Sequence, residues 1–563
     1  MKITGSQMVI EALACEGVDV VFGYPGGAIM NVYDEIYKQS YFEHILARHE
    51  QAAVHAADGY ARATGKVGVA MVTSGPGFTN AVTGIATAYM DSVPMVIISG
   101  QVPITLIGTD AFQEIDAVGI SRPCTKHNYL IRDVSEIPRV LKEAFFIARS
   151  GRPGPVHVDL PKDVSATKGE FEYPKDIKLQ TYKPNYKGNA RQIKKAVSAI
   201  CQAKKPIFYI GGGVISSGAA PVVRDVVEYT KIPALETLMA RGTLEHDREE
   251  LLGMVGMHGT YAANMGMSES DLVIALGARF DDRVTGKLSE FAKFADIIHI
   301  DIDPSSIGKL VDIDIPIVGD IKMVVSELLD ELKKKYKLGH IDEWKSVLSR
   351  YKELHPLQYH DSQSVIKPQW IIEKTGEILG DRAVVVTDVG QHQMWTAQFY
   401  PFSYPRQFIT SGGLGTMGFG FPAAYGVKKG KEDKIAINIS GDGSILMNVQ
   451  ELMTCVEKEI PVINIILNNN YLGMVRQWQT FFYEKRYSST DLSAQPDFVK
   501  IAEAFGGVGY RVEKKEDFEA VLKEAVEKNR VTFIDVIIDR DENVLPMVPS
   551  GGSLFNMMLE YKD

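Results

Sequence analysis

The chain has 563 residues and a formal net charge of −10, with 45% of residues hydrophobic and 23% charged. That length exceeds a single core and points to three or four domains in a soluble globular chain. The acidic balance excludes an electrostatic footprint for nucleic acid, and no apolar run of 18 residues predicts a membrane span.

In chain order, MKITGSQMVIEALACEG reads as the capped first helix of a domain, with no signal or transit segment ahead of it. Apolar runs predict strands at Val67–Thr73, Met95–Ser99 and Pro155–Asp159. Residues 166–188 are polar, with proline and lysine, and read as a linker. A second block predicts strands near Ile207–Ile210, Leu272–Leu276, Ile297–Ile302 and Ile315–Val318. Residues 333–366 read as a charged helical stretch and a second linker, with the Lys333–Lys337 run as a solvated helix end. The last block predicts strands at Ala383–Thr387, Lys434–Ser440, Pro461–Leu467 and Phe533–Ile538. A Pro-, Gly- and Met-rich tail follows that could fold over a site. Strands alternating with helical patterns predict an α/β chain of three doubly wound parallel sheets, over residues 1–170, 189–345 and 366–545, with a tail at 546–563. Cys15, Cys124, Cys201 and Cys455 show no CxxC spacing. That argues against structural zinc and disulfides and fits a reducing cytoplasm.

The most informative motif is Gly441-Asp442-Gly443, separated by 24 intervening residues from Asn468-Asn469. Each ends a predicted buried strand, and a helical pattern over 448–457 separates the two. Parallel strands joined by a helical crossover end on one edge of the sheet, where open α/β sheets bind ligands. Magnesium is held by one or two protein groups together with phosphate oxygens. Asp442 offers a carboxylate, Asn469 an amide oxygen, and a backbone carbonyl near Tyr471 a third oxygen. Gly443 and Ser444, at a helix start, offer amides and a hydroxyl to phosphate. The pattern predicts a magnesium-diphosphate site of the thiamine diphosphate type.

The chain resembles the acetolactate synthase (acetohydroxyacid synthase) family of thiamine diphosphate-dependent enzymes. The resemblance runs along almost the whole length. It includes GYPGGAIMNVYD (23–34), RHEQAAVHAADGYARATGK (48–66), TSGPGFTNAVTGIATAYMDSVPMV (73–96), TDAFQEID (109–116), GRPGPVHVDLPKDV (151–164), GARFDDRVTGK (277–287) and GGLGTMGFGFPAA (412–424). It implies a pyrimidine-binding domain, a central FAD domain and a pyrophosphate-binding domain.

Glu50 matches the family glutamate that hydrogen-bonds the cofactor's aminopyrimidine, a relay form of general acid–base catalysis. The diphosphate contacts are implied at Val389, Gly390, Gln391 and His392, with further cofactor contacts at Tyr471, Gly473 and Met474. Met417 matches the apolar wedge that bends the cofactor, and Gly415 offers it a carbonyl. Gly26 and Gly27 offer backbone amides to an oxyanion, while Gln113 and Lys162 match residues at the site entrance. Trp478 matches the family tryptophan that favours 2-ketobutyrate over a second pyruvate. Met474, Val475 and Phe112 complete that pocket, and Arg283 could hold the acceptor's carboxylate.

The Gly211-Gly212-Gly213 turn fails the G-x-G-x-x-G dinucleotide pattern at Ser216. FAD binding is implied instead by family matches. They are Arg152, Thr237-Leu238-Met239, Gly256-Met257-His258, Gly277-Ala278-Arg279, Asp281, Arg283-Val284, Asp301-Ile302 and Asp320, together with the glycine turn.

The resemblance implies an enzyme that decarboxylates pyruvate and joins the hydroxyethyl unit to a second pyruvate or to 2-ketobutyrate. That is the first common step of branched-chain amino-acid synthesis. It further implies thiamine diphosphate, magnesium and FAD as cofactors, a homodimer or dimer of dimers with sites between subunits, and a separate regulatory small subunit. The alternative is a pyruvate oxidase using the same cofactors. Trp478, the RFDDR stretch and a tail without a basic amphipathic helix weigh against it.

Overall fold

A computed structural model describes residues 2–560. Three six-stranded sheets carry the fold. The first comprises β1 (Val20–Gly23), β2 (Glu43–Leu46), β3 (Gly68–Val72), β4 (Met95–Gln101), β5 (His127–Leu130) and β6 (Pro155–Pro161). Its strands run in the order β2-β1-β3-β4-β6-β5, every pair parallel. The second comprises β7 (Pro206–Ile210), β8 (Ala234–Glu236), β9 (Leu251–Met254), β10 (Leu272–Leu276), β11 (Asp296–Asp301) and β12 (Ile315–Val318). Its order is β9-β8-β7-β10-β11-β12, again parallel throughout. The third comprises β13 (Ala383–Thr387), β14 (Phe408–Ile409), β15 (Ile435–Gly441), β16 (Val462–Asn468), β17 (Val508–Val512) and β18 (Thr532–Ile537). Its order, β14-β13-β15-β16-β18-β17, repeats the topology of the first.

Each sheet is buried on both faces by helices, so its central strands are continuous apolar runs. β3, β4, β6, β7, β10 and β13 are buried at every residue. Strand order reverses between β1 and β3, between β7 and β10, and between β13 and β15. These are the switch points where loops at the carboxyl ends of the strands diverge and leave a crevice.

The chain divides into two compact units. The first holds residues 1–183, 383–390 and 409–537, hence the first and third sheets; the second holds 184–382, 391–408 and 538–563. Within the first unit, helix α1 (Glu50–Thr64) packs along helix α3 (Gly420–Gly430), while helix α2 (Pro76–Met90) lies beside α1. The α1–α3 crossing is backbone on backbone. A Cβ on Gly59 would stand 2.2 Å from the Ala423 carbonyl oxygen, and one on Gly426 would stand 1.9 Å from that of Ala56. Alanines 53, 56 and 57 of α1 and 423 and 424 of α3 share one buried cluster with strands of both sheets.

The first helix, Gly5–Cys15, is closed by the expected capping box, in which Thr4 and Gln7 satisfy each other's backbone amides. The expected linker departs from its reading at its start. Lys168–Glu170 pairs antiparallel with Lys2–Thr4, and Phe171, Tyr173 and Tyr182 pack on the first unit's core. Its aromatic residues bury area that a polar average conceals. The helical pattern expected over 448–457 forms a helix at Glu451–Glu457, preceded by the short helix Asp442–Ile445 and a 3₁₀ turn at Leu446–Asn448. Asn448 ends that turn buried, its amide donating to the Gly418 carbonyl at 2.7 Å. Lys333, Lys334 and Lys335 do lie exposed in the last turn of a helix. The tail joins the second unit, where the Val548 amide donates to the Met257 carbonyl and Leu554 is buried in the core. Among the described residues no helix is long and apolar enough to cross a membrane, and no cluster of His, Cys, Asp and Glu could hold a metal. All four cysteines are free thiols.

Candidate active site

Asp442 follows β15 directly and opens the short helix Asp442–Ile445. Its side chain is 1% exposed. One carboxylate oxygen, Oδ2, accepts from the Gln495 amide, while Oδ1 is buried with no hydrogen-bond partner among the described residues. Burial pushes this carboxyl up to about 7. An unpaired buried carboxylate oxygen is costly unless a cation or donor completes it. The strand next to β15 ends at Asn468, and Asn469 follows it, 5% exposed. The Asn469 amide oxygen accepts from the Tyr471 N–H at 3.1 Å. Gly443 sits where a Cβ would meet Leu472 at 2.8 Å, and the Ser444 hydroxyl accepts from the Gly441 amide at 3.1 Å. Asp442, Gly443, Ser444, Asn469 and Tyr471 thus stand together at carboxyl strand ends beside the third sheet's switch point. Oxygen donors with one unsatisfied carboxylate oxygen suit a hard cation carrying phosphate.

On the other side of that switch point β13 ends at Thr387, and Asp388, Val389 and Gly390 follow. The fully buried Asp388 carboxylate accepts from the amides of Val389, Gly418 and Gly420 at 2.8–3.0 Å. Gly415 is exposed in the left-handed region at φ 69°, and Met417 is half-buried. Gln391 and His392 open the next helix and belong to the second unit, where the Gln391 amide donates to the Glu542 carbonyl at 3.1 Å.

Gly473 begins helix α4 (Gly473–Phe482), which carries Met474, Val475 and Trp478. Val475 is 50% exposed, Met474 is half-buried, and the half-buried Trp478 ring meets Phe482 edge-on at 5.4 Å.

Glu50 is the first residue of α1, with the His49 ring accepting from the Gln51 amide as N-cap. Glu50 Oε2 accepts from the Asn80 amide at 3.0 Å, and Gly77 approaches Oε1 with no side chain in the way. Gly26 and Gly27 lie just past β1, at the first sheet's switch point. A Cβ on Gly27 would meet nothing, whereas one on Gly26 would collide with Thr73. Gln113 takes φ 59°, with its carbonyl against Gly75, beside the 88%-exposed Phe112. Lys162 is exposed at the carboxyl end of β6.

In the second unit every strand of the sheet ends on candidate flavin residues. Gly211–Gly213 follow β7, Thr237–Met239 follow β8, Gly256–His258 follow β9, and Gly277–Asp281 follow β10. Asp301 ends β11, and Asp320 caps the helix after β12. The glycine turn and Gly277 touch backbone to backbone across the switch point, since a Cβ on Gly211 would stand 2.3 Å from the Gly277 oxygen. Thr237 Oγ1 is buried without a partner there, a polar atom a bound dinucleotide would satisfy. His258 is held neutral by burial, down to about 4, with Nδ1 3.2 Å from the Pro546 oxygen. Val284 is buried and Arg283 is 59% exposed. Arg152 lies in the first unit, its guanidinium donating to Ser92 Oγ at 2.8 Å. Gln495 and Asp388 are the groups that sequence reasoning missed; neither stands in a motif.

Three stretches of the sequence match thiamine pyrophosphate enzyme domains. They are the N-terminal TPP binding domain over residues 3–120, the central domain over 193–328 and the C-terminal TPP binding domain over 388–536. Fold and strand-end chemistry therefore define a thiamine pyrophosphate enzyme. The acetolactate synthase isozyme 3 large subunit of Escherichia coli (strain K12) is 48% identical over 565 residues, covering 99% of this chain and 98% of that one. The acetolactate synthase large subunit of Haemophilus influenzae is 48% identical over 563 residues, covering 99% and 98%. The acetolactate synthase of Mycobacterium leprae is 51% identical over 560 residues, covering 98% and 90%. The chain belongs to the acetolactate synthase family.

Proposed function

We propose that this chain is the catalytic subunit of an acetolactate synthase. It would decarboxylate pyruvate and transfer the two-carbon unit to a second pyruvate or to 2-ketobutyrate, at the head of branched-chain amino-acid synthesis. The observation that carries the reading is the unpaired buried Asp442 Oδ1 at a sheet switch point. It stands in a chain about half identical, end to end, to acetolactate synthases.

Bound thiamine diphosphate supplies a nucleophilic carbon able to break and make carbon–carbon bonds beside a carbonyl. Asp442, Asn469 and the Tyr471 carbonyl would hold magnesium, and Gly443, Ser444, Val389, Gly390, Gln391 and His392 would face the diphosphate. Gly415, Met417, Gly473 and Met474 would line the rings. Glu50 would exchange a proton with the aminopyrimidine ring through its carboxyl, with the Asn80 bond fixing the carboxyl's direction. Gly27, exposed and with open space where a Cβ would stand, would offer its amide to a developing oxyanion. Gln113 and Lys162 attract and orient the 2-ketoacid carboxylate. Trp478 with Met474, Val475 and Phe112 gives an apolar wall on which one extra methyl counts for roughly 1–3 kcal/mol. Arg283 offers a guanidinium to an acceptor carboxylate.

The same reading extends to FAD at the strand ends of the second sheet, supported by the unsatisfied Thr237 hydroxyl and the glycine contact at its switch point. It includes a homodimer or dimer of dimers and a regulatory small subunit, the words "large subunit" in the names of relatives supporting the second of these alone. A cytoplasmic location accords with four free thiols.

The test is purified chain with pyruvate, magnesium and thiamine diphosphate, with and without FAD, scored for acetolactate and for oxygen or quinone consumption. Acetolactate without stoichiometric oxidant is expected. Substrate-dependent flavin reduction at catalytic rate would favour the oxidase instead.

A further inference from the structure

The loop Thr410–Gly420 carries Gly415 and Met417 and contains glycines at 412, 413, 415, 418 and 420. A segment so rich in glycine has little shape of its own, because each glycine loses more backbone freedom on ordering than any other residue. Its shape is imposed at both ends by buried carboxylates from rigid elements. At the far end Asp388, just past β13, accepts from the amides of Gly418 and Gly420. At the near end Asp91, the residue that closes helix α2, accepts from the Gly412 amide at 3.0 Å and the Gly413 amide at 2.7 Å.

Asp91 is itself held. Its side chain has no exposure, and Arg62 of α1 donates to Oδ2 at 2.9 Å. The same guanidinium pairs with the buried Asp58 and donates to the Thr410 carbonyl at 2.8 Å. Thr87, one turn earlier on α2, meets the Thr416 hydroxyl at 2.7 Å. Gly413 lies so close that a Cβ there would stand 2.8 Å from Asp91 Oδ1 and 3.0 Å from Met90 Cβ. The loop is thus fastened to the helix that begins at Glu50 and to the helix beside it, through three charge-assisted bonds to one carboxylate.

We propose that Asp91 is a positioning residue for the proposed reaction: it sets the Gly412–Met417 backbone before thiamine diphosphate arrives, acting through the loop and never touching the cofactor. This rests on the reading that Gly415 and Met417 face that cofactor. In Asp91→Asn a single amide oxygen would face three donors, and its own NH₂ would face donors as well, so the Gly412–Gly413 anchor is lost while volume is kept.

The experiment combines hydrogen exchange of peptides spanning 408–422 in the full chain without cofactor, thiamine diphosphate titration with magnesium, and kinetics across cofactor concentration. The variants are Asp91→Asn and, as a milder lesion outside the ion cluster, Gly413→Ala. Faster exchange of the loop is expected in both, with cofactor affinity at least tenfold weaker, about 1.4 kcal/mol. At saturating cofactor the pyruvate KM should match wild type and kcat should recover to within a few-fold. A general loss of packing would instead depress kcat at every cofactor concentration. Wild-type loop exchange, or affinity within twofold of wild type, in both variants would overturn the proposal. Absence of binding by the wild-type chain would overturn the cofactor reading itself.

Discussion

In the proposed reaction Asp442 and Glu50 have separable roles, and each can be removed alone. Asp442→Ala deletes the unsatisfied Oδ1 together with the Gln495 contact. Magnesium-dependent thiamine diphosphate binding should vanish by calorimetry, and unchanged binding would disprove the metal role. Glu50→Gln keeps an oxygen for the Asn80 bond but cannot exchange a proton. Cofactor binding should persist while acetolactate formation falls by two orders of magnitude or more, the scale of acid–base catalysis; a near-native rate would remove Glu50 from the relay. Asp159 tests a residue away from the site. Burial between Ser99 and Gln101 pushes its carboxyl up to about 7, while His157, bonded to the same Ser99 hydroxyl, is held neutral by burial, down to about 3. Asp116 is the other charge nearby and pushes in the same upward direction. A carboxyl whose folded value lies above its unfolded one stabilises the fold fully below the unfolded value near 4, and that contribution is gone once pH passes about 7. The unfolding free energy from urea titrations should therefore fall between about pH 4 and pH 7, by on the order of a few kcal/mol, and Asp159→Asn should flatten the slope. An equal slope in the variant would show that other groups set it.

At the scale of elements, the α1–α3 crossing is the tightest contact in the first unit. A methyl on Gly426 has a carbonyl oxygen at 1.9 Å and no flexible side chain to displace. Gly426→Ala should cost about 1–3 kcal/mol or more by overpacking, read as a lower urea midpoint; an unchanged midpoint would mean the helices slide freely. The central strands were legible because they are buried on both faces: Ala383–Thr387 and Leu272–Leu276 have the residues expected of them, while the edge strand Ile315–Val318 was legible from its apolar residues alone. The other edge strands were not. Glu43–Leu46, His127–Leu130 and Val508–Val512 each expose polar or half-buried residues and carry no continuous apolar run. The short β8 and β9 and the four residues of β1 fall below the length at which a pattern separates from its surroundings. The placement of Asp442 and Asn469 on one sheet edge was legible since both follow strands of one apolar core. Gln495, Asp388 and Asp91 were not, because an isolated polar residue acquires meaning only from what folding brings against it.

For the molecule as a whole, the two units should report different ligands. Binding slows exchange where it stabilises, by about 2.7 kcal/mol at a hundred times Kd. Magnesium with thiamine diphosphate should protect 388–390, 441–444 and 469–473 of the first unit, whereas FAD should protect 211–213, 237–239 and 277–281 of the second. FAD protection confined to the first unit would move the flavin assignment. The first unit is also discontinuous in the chain, and this bears on its birth. The Ala- and Gly-lined face of α1 waits for a partner helix that emerges roughly 360 residues later, on the order of 20–70 s at ordinary translation speeds. During that interval the ribosome presents an unfinished, adhesive helix face to the cell, so a nascent chain of this kind should depend on slow-acting protection at its N-terminal third.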